Sequence, residues 1–317
     1  MSKDVSQNSR IDVHHHVLPP QYADGSVPIP MPDIDAQLLA MDGWGIRTAI
    51  TSVTPRVILA NPHRLREVTR VCNEFQAGLA RAHPPRFGSF AVLPLPDVDA
   101  ALEELAYALD VLRLDGVGLF SSQGGRYVGD PSFDPVFDEL NRRKAVVFLH
   151  PTHCEAPKES GLGAPPYVVE YVFDTTRAIV NLVYTGTLRR CPDIRLIAAH
   201  GGGAVPYIAQ RISSLEGHRR GGEVSRVIPT LQSLYYDTAS ATSAYALRAL
   251  QELIGPTHIL WGSDLPFVHG ERLQAEVDHW EAYDGFDAAA RSAADQLNAL
   301  RLFPQFAGAG NDPALQP

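Results

Sequence analysis

Cysteine is scarce: Cys72, Cys154 and Cys191 are the only three in 317 residues. They are odd in number and far apart, which excludes a disulfide framework. Positive charge is in deficit as well. Lysine and arginine total 27 against 36 aspartates and glutamates, a formal net charge of −9. Nucleic acid and anionic membranes both need basic patches, so neither is an expected partner. No apolar run reaches the roughly 18 residues of a membrane span, and the N-terminal MSKDVSQNSR lacks an apolar signal core. These absences predict a cytoplasmic protein. Two motifs are also missing. No glycine fingerprint for a dinucleotide follows the first apolar run, and no G-x-S-x-G nucleophile elbow occurs anywhere.

The chain does contain a repeated unit. Short, mostly apolar runs lie at 10–15, 47–53, 87–93, 116–120, 145–150, 194–200, 234–239 and 258–264. Such runs suit strands buried on both faces. Helical patterns separate them, among them DIDAQLLAMDGWG, HRLREVTRVCNEFQAGLARAH before Pro84, and DVDAALEELAYALDVLRL after a capping Asp97. Eight alternations of strand and helix predict a (β/α)8 TIM barrel, with one domain over residues 10–306 and tails at 1–9 and 307–317. Residues 151–175 read as the longest irregular insertion, of a length usual for a functional loop.

Histidines and one aspartate gather at the carboxyl ends of these strands, where barrel active sites are built. In RIDVHHHVLPP, His14 and His16 are two apart and so share one side of a strand, while His15 faces away. His150 ends the fifth run, His200 the sixth and Asp264 the eighth. Imidazoles with one carboxylate suit a divalent ion such as Zn2+ or Mn2+. Ligands from the first, fifth and eighth strands would converge across the mouth and leave His200 free as acid or base. Each piece has a plainer reading. LHP at 149–151 is a common turn, WGSD can cap a helix, and HGGG at 200–203 resembles an oxyanion-hole loop. Their joint placement favours the metal site. Cys154, four residues past His150, lacks a strand to aim it inward.

The segments IDVHHHVLP, VVFLHP, LIAAHGGGAVPYIAQRI, LYYDTA, ILWGSDLPF and NALRLFP resemble the metal-dependent amidohydrolase superfamily, over about residues 10–306. The similar branch is that of aminocarboxymuconate-semialdehyde decarboxylase. Within it, GVGLFSSQGGRYVGDPSFDPVFDELNRRKAVVFLHP and YYDTASATSAYALRALQELIGPTHILWGSDLPF look most like 6-methylsalicylate decarboxylases. The resemblance implies a distorted amidohydrolase-type barrel with one divalent ion on His14, His16, His150 and Asp264, and His200 beside it. It also implies a homodimer, because the arginine matching Arg211 reaches the neighbouring subunit's site in the type enzyme. The type enzyme's second substrate arginine precedes its first helix, where this chain reads VPIPMPDIDAQLL without arginine. Arg56 and Arg126 then become the candidates to bind a carboxylate.

The implied activity is non-oxidative decarboxylation of a small aromatic carboxylate, a hydroxybenzoate such as 6-methylsalicylate. Protonation of the ring carbon would precede loss of CO2. Asp264 is the first candidate for the proton donor and His200 the second, with Tyr167, Tyr171, Phe173 and Phe267 available as an apolar wall. The alternative is hydrolysis of an amide, lactone or carbonyl-adjacent C–C bond by water activated at the same ion.

Overall fold

The computed structural model describes residues 9–22, 31–152, 165–219 and 226–307. Eight strands form one sheet in which every pairing is parallel. They are β1 (Arg10–Val17), β2 (Ile46–Val53), β3 (Phe87–Val92), β4 (Gly116–Phe120), β5 (Val146–His150), β6 (Arg195–Ala198), β7 (Tyr235–Asp237) and β8 (Ile259–Leu260), ordered around the sheet as they occur in the chain. The last strand returns to the first. Trp261 O accepts from Val13 N at 3.1 Å, Asp264 N donates to His14 O at 2.8 Å, and His16 N donates to Leu265 O at 2.7 Å. The barrel is nearly closed, as the strand–helix alternation predicts.

Ile11 and Val13 point into the barrel and pack with Ile50, Phe90, Phe148 and Leu260. The C-terminal residues Leu300, Phe303 and Phe306 join the same cluster. A second, larger apolar layer lies between the sheet and the surrounding helices, with Met41, Leu105, Phe137 and Leu247 among its members.

Two differences from the sequence reading bear on the site. First, the sixth and eighth strands stop early, at Ala198 and Leu260. His200 and Asp264 both lie beyond them with positive φ, at 54° and 62°. Histidine and aspartate are among the residues that tolerate this region, which clusters at functional sites. Second, the insertion is not irregular throughout. Helix Pro166–Tyr184 occupies its last part. Proline in the first turn is compatible with helix because its missing N–H has no partner there anyway. The helix is tied down by Asp174, whose Oδ1 accepts from Tyr127 Oη at 2.8 Å and whose Oδ2 accepts from Thr152 N at 3.1 Å and from Ser121 Oγ. These bonds join it to the loops after β4 and β5. Cys154 and the tail from 308 onward lie outside the described residues. No described helix is long and apolar enough to cross a membrane.

Candidate metal centre

The site begins with an irregularity in β1. Asp12 pairs with Ala49 and His15 with Thr51, so β1 carries one residue more than β2 over this stretch. Such a bulge re-aims side chains. Ile11 and Val13 face the interior below it; above it, His14 and His16 face the barrel mouth. His15 turns outward. Its Nδ1 lies 3.1 Å from Asp12 Oδ2 and its Nε2 lies 3.1 Å from Gln37 Oε1, on helix Ile34–Gly43. Asp12 also receives the Ser263 amide at 3.0 Å and hydroxyl at 2.5 Å, which fixes the turn that presents Asp264.

The other four histidines of the site share one arrangement. Each has its Nδ1 engaged: His14 with Asp237 Oδ2 at 2.8 Å, His16 with Ser52 Oγ at 3.1 Å, His150 with Pro151 O at 2.7 Å and His200 with Ala239 O at 2.9 Å. An N–H at Nδ1 leaves a lone pair on Nε2, the tautomer a ligand or a base needs. The rings crowd together, with centroids 5.1 Å apart for His14–His16, 5.2 Å for His14–His150 and 4.8 Å for His14–His200. Asp264 Oδ1 lies 3.2 Å from His16 Nε2 and 3.5 Å from His14 Nε2.

The residues fit a divalent ion. His14 Nε2 is buried without a hydrogen-bond partner, a state that is unfavourable unless something fills it. Ligand atoms of His14, His16 and His150 all lie within 4.8 Å of one another, as do those of His14, His200 and Asp264. Burial pushes His14 and His150 well below the usual imidazole range, which keeps them neutral. Burial would raise Asp264, but its hydrogen bond with His16 and the adjacent imidazoles outweigh that and carry it below the usual carboxylate range. Neutral nitrogens with an ionised carboxylate are a donor set for a divalent metal.

Asp237 supports this set from behind. It is fully buried, and burial pushes its carboxyl up to about 7. Its Oδ1 accepts from His200 N at 2.9 Å and Ala239 N at 3.0 Å, while Oδ2 faces His14. Asp237→Asn sets an amide N–H against His14 Nδ1 or surrenders the two backbone bonds. Loss of such a partner lowers metal affinity about 10- to 100-fold. A competitive chelator titration should show that loss, and unchanged affinity would remove Asp237 from the orienting role.

A cavity of about 380 Å³ opens above these groups, lined by His16, His150, His200 and Asp264 at its base and by Tyr171 and Phe267 on its walls. Arg56 also lines it. Arg126 does not. It is exposed at the turn of the hairpin Ser122–Gln123/Arg126–Tyr127, and its Nη1 donates to Ser132 Oγ at 2.8 Å. Gly124 and Gly125, at φ 54° and 76°, make the tight turn that carries Arg126 away. Arg211 is exposed on helix Val205–Arg219 and is absent from the cavity lining. Phe173 is exposed and also lies off the wall, whereas Tyr167 is on it. The HGGG loop is no oxyanion hole of the elbow type: Gly202 N donates to Ala199 O at 3.0 Å and Gly203 N to His200 O at 3.1 Å. Its glycines serve close approach instead, since a Cβ on Gly203 would run into the Val172 carbonyl. Sequence reasoning missed Arg272 and Ser240, which also line the cavity.

A family description of amidohydrolases matches residues 11–305. The 6-methylsalicylic acid decarboxylase of Penicillium expansum is 33% identical, over 95% of this chain and 98% of its own. A decarboxylase of Penicillium terrestre is 35% identical, over 94% and 96%. Among solved structures, an amidohydrolase II superposes with a TM-score of 0.86 at 27% identity, covering 93% of this chain and all of its own.

Proposed function

The chain belongs to the amidohydrolase family, and on that premise we propose that it is a metal-dependent, non-oxidative decarboxylase of small ortho-hydroxybenzoates such as 6-methylsalicylate. The similarity to a 6-methylsalicylic acid decarboxylase along nearly the whole of both chains carries the choice of reaction. His14, His16, His150 and Asp264 are the ligands in this proposal, and zinc and manganese both suit them. When bound there, a divalent ion supplies Lewis acidity that orients and polarises the oxygen substituents of the ring.

The chain's own groups then manage one proton. Direct loss of CO2 would leave an aryl anion in the plane of the ring, with no π-system to delocalise it. Protonation at the carbon bearing the carboxylate avoids that. Asp264, held as a carboxylate, takes the phenolic proton and returns it to that carbon. His200 is the second candidate donor, through Nε2, because Nδ1 is committed to Ala239 O. The C–C electron pair returns to the ring, aromaticity is restored and CO2 leaves, and the phenolate that remains takes up a proton from water. Tyr171 and Phe267 make a wall that favours the neutral product over the charged carboxylate. Arg56, in the cavity lining, contributes to carboxylate binding in this proposal. In the homodimer of this proposal, Arg211 serves the partner's cavity, and the location is cytoplasmic.

Turnover in D2O tests the reading. Ring protonation predicts one deuterium at the vacated carbon of the 3-methylphenol product, visible by NMR. Inert hydroxybenzoates alongside cleavage of lactones or amides would favour hydrolysis instead.

A further inference from the structure

The cavity carries a second guanidinium that neither the catalytic chemistry nor the ligand set uses. Arg272 lies at the start of helix Gly270–Ala282, just past the turn that presents Asp264. It lines the same cavity as His16, His150, His200 and Asp264, and it remains exposed, which places it at the mouth. Among the described residues it has no carboxylate partner. Its two contacts orient rather than neutralise it. Nη2 donates to Ser240 Oγ at 3.3 Å, and the guanidinium carbon lies 6.0 Å from the centre of the Tyr167 ring.

Both supports belong to the site's own framework. Ser240 holds φ at 53°, an uncommon conformation for a non-glycine residue, one position after Ala239, whose carbonyl orients His200. The same loop is fastened to the Arg272 helix a second time, by Thr242 Oγ1 donating to Glu276 Oε2. Tyr167 comes from helix Pro166–Tyr184, anchored through Asp174. Two other elements of the site, the Ser240 loop and the Tyr167 helix, therefore meet at one cation without a carboxylate partner at the opening of the cavity. An unpaired guanidinium pre-oriented in this way is suited to a carboxylate.

We infer that Arg272 is a specificity-determining residue, which binds the carboxylate of the incoming aromatic acid and so selects the anion over neutral ring compounds. The substrate class rests on the decarboxylase reading above; the anion selectivity does not. Arg56 lies in the same cavity, so the carboxylate meets two cations there.

The test is equilibrium binding by calorimetry to the metal-loaded protein, with Arg272 kept or replaced on a His200→Ala background that retains metal but not turnover, and with 6-methylsalicylate and neutral 3-methylphenol as probes. Arg272→Met should weaken the acid about 10- to 100-fold, the range of a hydrogen bond to a charged group, and leave the phenol within about twofold. Arg272→Lys should fall between, because it restores the charge without the planar fork. In turnover, with His200 intact, KM should rise while kcat does not fall, since the cation holds the charged carboxylate of the ground state more strongly than a transition state that is losing neutral CO2. Ser240→Ala, which leaves the arginine in place, should weaken the acid by a few-fold only. Equal affinity for the acid with Arg272 kept and with Arg272→Met overturns the assignment while leaving the decarboxylase reading untouched. Conversely, if wild type binds the acid tightly and releases no CO2, the decarboxylase reading fails, and an affinity loss in Arg272→Met still establishes the selectivity.

Discussion

His14→Ala protein should purify without its metal and lose CO2 release in the same step, and Asp264→Ala should do likewise. His14 Nε2 is the buried, unpartnered atom at the centre of the site, and it belongs to both groupings of converging ligand atoms. Removing it removes a ligand and leaves Asp237 facing a void. Lewis-acid stabilisation is worth several kcal/mol, so activity should fall by about three orders of magnitude or more. Metal content by elemental analysis and turnover are read on the same samples. Full activity in metal-free protein would refute the site. Asp264→Ala adds a second loss, because the proton carrier goes with the ligand. Asp264→Asn distinguishes the two roles: it keeps an oxygen ligand, cannot relay the proton, and should retain part of the metal with little activity.

His200→Ala should separate metal from turnover in the opposite sense. His200 shares a grouping with His14 and Asp264, but the three ligands from β1 and β5 form a set without it. The variant should keep its metal and lose about 10²–10⁴-fold in kcat, the range of a positioned acid or base. His200 N also bonds to Asp237 and its ring to Ala239 O, so thermal unfolding should be compared alongside. Turnover unchanged from wild type would leave His200 a purely structural residue.

Much of this site is legible in the chain because its signals are local. A period of two puts His14 and His16 on one side of a strand, and runs of apolar residues mark where His150, His200 and Asp264 emerge. Eight strand positions follow from the same runs. What stays hidden depends on contacts between distant segments. The bulge in β1 is visible only against β2, and without it the interior parity of Ile11 and Val13 would turn His14 away from the mouth. Past β6, the positive-φ His200 gives its N–H to the Asp237 carboxylate rather than to a strand carbonyl, and past β8 the chain pairs with β1 only at an isolated bridge between His15 and Leu265. Helix Pro166–Tyr184 is masked by the proline-rich stretch before it. Arginines are the hardest to place. Arg126 stands in a glycine-rich loop at the correct end of the barrel, yet the hairpin turns it to Ser132. Arg272 reads as an ordinary surface cation on an amphipathic helix, and only the packing of Ser240 and Tyr167 around it sets it apart.

Metal dependence and loss of the carboxylate can be read in one assay. Protein stripped by chelation, and the same protein reloaded with zinc or with manganese, is incubated with 6-methylsalicylate and a small panel of other hydroxybenzoates, and products are read by mass spectrometry. Reloaded samples should release CO2 from at least one ortho-hydroxybenzoate, and the stripped sample from none. Release that proceeds equally without metal, or no release from any member of the panel by reloaded protein, would contradict metal-dependent decarboxylation.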